Sequence, residues 1–116
     1  MYLINRAVAV VTMKEPFLEW ANSDPDKPNE LTLKLINSEK HCYLLPEHDT
    51  EQEKEVIIQD LYDSIFKVEL HSFCTDPDYW PEDRSYTKFL EWFDIEVHSM
   101  LFDPYNGKIQ REKFGR

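Results

Sequence analysis

The stretch over residues 49–72 constrains the fold of this chain more than any other. Thr50-Glu51-Gln52-Glu53 is a capping box: a Thr hydroxyl for the free backbone amides, and a Glu three residues on to reach back. Asp49, Glu51, Glu53 and Glu55 put carboxylates at the positive end of the helix dipole. Downstream, Ile57, Leu61, Ile65 and Val68 recur at helical spacing, and Ile58, Tyr62, Phe66 and Leu70 widen the stripe. The pattern predicts one amphipathic helix of about 20 residues, reaching Ser72. Such a helix must bury its apolar face, so the rest of the chain has to supply a surface to cover it.

Residues 6–13 read Arg-Ala-Val-Ala-Val-Val-Thr-Met, β-branched and nearly continuous in apolar residues. That predicts a central strand covered on at least one face. Pro16 is placed to open a short helix through Asn22, which Phe17, Leu18 and Trp20 would pin to the sheet. Residues 23–29 hold two prolines, two aspartates and no apolar side chain, the composition of an exposed loop. Residues 31–37 fit two states. Leu31, Leu33 and Leu35 alternate like a strand, while Thr32 fits the cap of a short helix turning Leu35 and Ile36 inward; the helix is favoured. A second strand is expected over residues 41–45, stopped by Pro46. Thr75 or Asp76 caps a turn before Trp80-Pro81, and Ser85 caps a short helix over residues 86–93 with Phe89, Leu90 and Phe93 inward. From Asp94 the period changes: Ile95, Val97, Ser99 and Leu101 alternate with Asp94, Glu96, His98 and Met100. A strand with one buried face is favoured there over a continued helix on Phe89, Phe93, Val97 and Met100.

These elements predict an α+β fold: a small three-stranded, mostly antiparallel sheet with one long and two or three short helices packed on one face. With 116 residues, 41% of them hydrophobic, the chain is expected to form a single domain over residues 1–107, followed by a flexible basic tail over residues 108–116. A sheet of three strands has two open edges, and hiding one against a second copy predicts a homodimer. Phe-Leu-Glu-Trp occurs at residues 17–20 and 89–92, but one copy follows a strand and the other precedes one, so no internal repeat is read.

Charge narrows the functions. The formal net charge is −10; residues 108–116 carry +3, which leaves −13 on the rest. So acidic a surface repels phosphate backbones and anionic bilayers, and neither nucleic-acid binding nor membrane docking is expected. The basic tail reads as a frayed end partly neutralised by the body, or as an arm reaching onto an acidic neighbouring subunit. Cys42 and Cys74 are too few for a disulfide scaffold and sit in no CxxC or Cys/His pattern; Cys42 reads as a small buried hydrophobe. No basic segment followed by a long apolar run opens the sequence, and the apolar run over residues 7–11 is too short to span a bilayer, so a cytoplasmic protein is expected. Both glycines, Gly107 and Gly115, lie near the C-terminus, which leaves no Gly-rich phosphate loop. GxSxG, HExxH and a basic stripe with interleaved aromatics are missing too. These absences argue down P-loop, serine-hydrolase and zincin chemistry and RNA-recognition folds, and no cofactor is expected.

Several motifs stand in a distinctive order: Asn5-Arg6-Ala7; Pro16-Phe17 with Trp20; Tyr43-Leu44-Leu45-Pro46-Glu47; Trp80-Pro81 with Arg84; Trp92-Phe93; and Glu96-Val97-His98-Ser99 with Asp103. In that order the chain resembles a family of short acidic bacterial proteins of uncharacterised function, over residues 5–103. The resemblance implies a compact domain and no particular reaction. The chain departs from the family's usual acidic ending in its basic residues 108–116, which removes any role that rests on an acidic tail.

Two constellations are candidates for function. On a strand, Asp94, Glu96 and His98 point the same way, and two carboxylates with an imidazole suit a divalent metal or an acid–base pair. Neighbours in such a row stand roughly 7 Å apart, wide for ligands of one ion, and a solvated polar face explains the same letters. Trp80, Arg84 and Trp92 are the other set: a guanidinium clamps carboxylates or stacks on indole, and an exposed tryptophan anchors interfaces. The competing role of Arg84 is an ion pair with Asp83, Glu91 or Glu96 that locks its loop. Helix capping accounts for Asp49, nothing demands a role for Glu47 or His48, and His41 and His71 stand alone in the sequence. The function expected is a non-enzymatic protein-binding or regulatory module with binding residues Trp80, Arg84, Trp92, Glu96 and His98. The alternative is a small metal-assisted or acid–base enzyme built on Asp94, Glu96 and His98. A weaker third is an acidic decoy for a nucleic-acid-binding protein.

Overall fold

The protein is described by a computed structural model over residues 1–25 and 30–114; residues 26–29 of the expected loop and the last two residues of the tail lie outside the described residues. The elements are β1 (Tyr2–Leu3), β2 (Ala7–Met13), α1 (Glu15–Ala21), α2 (Leu33–Ile36), β3 (Cys42–Leu45), α3 (Glu51–Phe73), a single 3-10 turn (Pro77–Tyr79), α4 (Tyr86–Trp92), β4 (Phe93–His98) and β5 (Phe102–Asp103). β2 is the central strand of an antiparallel sheet in the order β3-β2-β4, and β1 pairs antiparallel with β5 in a separate two-stranded ladder. The fold is α+β, as expected.

Local signals place the helices. The Thr50 hydroxyl accepts the Glu53 N–H at 3.1 Å and the Glu53 carboxylate accepts the Asp49 N–H at 3.0 Å, so the box starts α3 from both sides. Thr32 caps α2 by accepting the Leu35 N–H, Asp76 caps the 3-10 turn, and Ser85 caps α4. Pro16 sits in the first turn of α1, where its missing N–H costs nothing.

The core forms on one face of the sheet. Along β2, Ala7, Ala9, Val11 and Met13 are buried, and all four helices contribute side chains to the same cluster. Its centre is aromatic: the rings of Phe17, Phe66 and Phe89 stand 5.1–5.4 Å from that of Phe93, centroid to centroid. Rings at such distances in edge-on and tilted poses add to the area they bury.

Some expectations about facing need correction. Leu35 and Leu90 point to solvent; α2 is one turn long and buries only Ile36, while α4 buries Phe89 and Trp92. Cys42 is exposed rather than buried, because the β3 register sends Leu45 into the core and leaves Cys42 and Leu44 on the other face. β4 stops at His98, and the chain rejoins regular structure only at β5, in the ladder with β1 that no local pattern announced.

Candidate functional site

Side chains alternate along a strand, so the register of the sheet defines its second face. Val8 lies between Leu44 and His98, Val10 between Cys42 and Glu96, and Thr12 beside Asp94. The core holds the opposite face, and here Val8, Val10 and Thr12 are half-buried while Leu44 is 57% exposed. The result is an apolar stripe of Val8, Val10, Cys42 and Leu44, bordered along β4 by Asp94, Glu96 and His98.

That border is a row, as expected for one strand face, but the row is not evenly spaced. His98 Nε2 and Glu96 Oε2 close to 2.9 Å, and this hydrogen bond, helped by the charges of His98 and Lys40, holds the Glu96 carboxyl below its ordinary value. Asp94 instead faces Lys14, 4.0 Å away. Among the described residues no group of three or more His, Cys, Asp or Glu side chains is placed to hold a metal ion. The row suits recognition of cationic groups beside an apolar contact.

Trp80, Arg84 and Trp92 do not form one surface. Trp92 is a core residue, 7% exposed, with its ring 5.6 Å from Phe66. Trp80 is half-buried and its indole N–H donates to the Cys74 carbonyl at 2.8 Å. The Arg84 guanidinium lies 5.9 Å from the Trp80 ring centroid and donates to the Pro81 carbonyl at 2.7 Å. It makes none of the ion pairs considered for it; it ties its own loop through the stack and the carbonyl.

A polar cluster lies elsewhere. Glu69, on α3, is 1% exposed, and its Oε2 stands 2.7 Å from His41 Nδ1 and accepts the Tyr43 hydroxyl. Burial, and then this carboxylate, push the Tyr43 hydroxyl far above the ordinary tyrosine value. His41 is thus not alone. A histidine oriented by a buried carboxylate, with part of its ring exposed, is the arrangement of a general base. It opens on a shallow pocket of about 220 Å³ shared with Ser38 and Ser72. Both hydroxyls, however, already donate to helix carbonyls, Ser38 to Leu35 and Ser72 to Glu69. With neither serine hydroxyl presented to the ring, the cluster serves as a polar latch between β3 and α3. One signal for it stood in the sequence: Glu69 falls four residues after Ile65 and three after Phe66, on the apolar stripe, where a carboxylate requires partners. No family model, curated protein or solved structure matches the chain.

Proposed function

We propose that this chain is a non-enzymatic protein-binding module that docks through the helix-free face of its three-stranded sheet. Its partner offers an apolar patch flanked by Lys or Arg. The observation that carries the reading is the juxtaposition of Val8, Val10, Cys42 and Leu44 with the acidic row on β4. An apolar centre with a charged rim is the anatomy of a protein interface. The −13 carried by residues outside the tail draws a basic partner towards it. Glu96 and His98 keep their place as binding residues in this reading. No helix among the described residues is long and apolar enough to cross a membrane, and the reading calls for none.

Side-by-side capture from a lysate with wild type, Glu96→Lys and Cys42→Asp, followed by titration of the purified partner, tests the proposal. Both substituted side chains are exposed on strand edges, so folding should survive. A basic partner whose Kd rises roughly tenfold or more with either change supports it. A partner that binds all three proteins alike, or that responds only to changes at Trp80 and Arg84, overturns it. The outer edges of β3 and β4 are unpaired among the described residues, and this favours a second mode, edge-to-edge pairing of two copies into a homodimer.

A further inference from the structure

A hollow of about 820 Å³ lies between the β1–β5 ladder and the start of the tail. Arg6, Lys108 and Arg111 line it together with Leu3, Leu44 and Ile109. Three cations gathered at one concavity are unexpected in a chain with 23 carboxylates. Among the described residues none of the three makes an ion pair, and the Arg6 guanidinium donates to the neighbouring Asn5 carbonyl at 2.8 Å. One carboxylate, Asp103, also lines it, and its Oδ1 accepts the Tyr105 N–H at 2.9 Å. Had the tail served only to neutralise the acidic body, Lys108 and Arg111 would rest on carboxylates. Instead they share a hollow with Arg6.

The wall built by β1 and β5 is tied down. Leu3 pairs with Phe102 and Tyr2 with Asp103; the Ile4 N–H donates to the Leu101 carbonyl at 2.8 Å; and the Tyr2 hydroxyl donates to Asn106 Oδ1 at 3.0 Å. A Cβ at Gly107 would meet the ring of Tyr105, so a side chain there would require that exposed ring to move. A wall held in this way spares a ligand the cost of ordering that side of the hollow.

We infer that this hollow binds an organic anion: a carboxylate, sulfonate or phosphate group joined to an apolar body. The three cations repel one another until an anion sits among them. Leu3, Leu44 and Ile109 offer an apolar wall that a bare ion does not use. The volume lies in the range of small-molecule sites, about 300–1,000 Å³. The hollow meets the sheet face at Leu44, which both use, but its cations lie outside the acidic row and the apolar stripe, and either proposal stands if the other falls.

The test is a fluorescence titration and an amide chemical-shift map with the sulfonate probe 8-anilinonaphthalene-1-sulfonate, beside its uncharged counterpart N-phenyl-1-naphthylamine and inorganic phosphate alone. The sulfonate should bind saturably and shift the amides of residues 2–6 and 103–111. The Arg6→Gln/Lys108→Gln/Arg111→Gln protein should bind it roughly tenfold more weakly or worse, and Arg6→Lys/Arg111→Lys should bind it as wild type does. The uncharged probe should not distinguish the three proteins. Equal binding by the glutamine variant overturns the assignment, as does a shift map centred on Val8 and Val10. Inorganic phosphate matching the sulfonate in affinity overturns the claim that the ligand carries an apolar body.

Discussion

Glu69 is buried to 1% exposure in the middle of an otherwise apolar helix face, and His41 and Tyr43 reconcile it with that position. Removing one donor from a buried carboxylate costs more than an average hydrogen bond, because the oxygen stays desolvated. Tyr43→Phe is therefore expected to lose about 1–3 kcal/mol at neutral pH, measured by denaturant unfolding. The same residue sets an alkaline limit. Its folded hydroxyl ionises well above the unfolded value of 10.0, so the native state holds a proton that the unfolded chain releases first. The stability this supplies is complete below pH 10 and is lost as pH rises from there towards the folded value. Wild type should lose stability over that range and Tyr43→Phe should lose less, although it starts lower. Parallel unfolding curves for the two proteins above pH 10 would contradict the assignment.

At the scale of elements, α3 stands on its cap. Thr50→Ala removes the acceptor of the Glu53 N–H and frees Glu53 from the box, at an expected cost of about 0.5–2 kcal/mol. Glu53→Ala in the Thr50→Ala background should then add little, since the pair acts as a unit; full additivity in denaturant unfolding would show the box to be two separate caps. The box could be found from sequence because all its atoms lie within five residues. The same locality made the caps at Thr32 and Ser85 readable, and the change from helical to strand period at Asp94. What could not be read depends on partners far along the chain. β1 and β5 are two residues each and pair across about a hundred positions, with no periodicity to betray either. Cys42 points outward and Trp92 inward because of how β3 registers on β2 and how α4 meets α3, and neither is written in its neighbours. For the candidate site, alternation alone placed Asp94, Glu96 and His98 on one face. The valines between them and Cys42 and Leu44 emerged only from the register.

For the molecule as a whole, charge separates the two kinds of partner that an open sheet admits. A basic protein is drawn to the −13 outside the tail, and its complex weakens as salt screens that attraction. Two copies of this chain each bring −10, so pairing along the edges of β3 or β4 is opposed by the same field and strengthens when it is screened. Raising salt from about 0.1 M to about 1 M shortens the screening length from roughly 10 Å to 3 Å, well inside the 15.8 Å radius of gyration. The same change must therefore move the two equilibria in opposite directions. Sedimentation of the purified chain should show any dimer fraction growing with salt, while titration with the basic partner should show Kd rising. A dimer that dissociates in salt would mean that the copies meet through opposite charges. The basic residues of the tail, set on the acidic row of a neighbour, are the pair that this chain offers for such a contact, and Lys108→Glu/Arg111→Glu would then abolish the dimer.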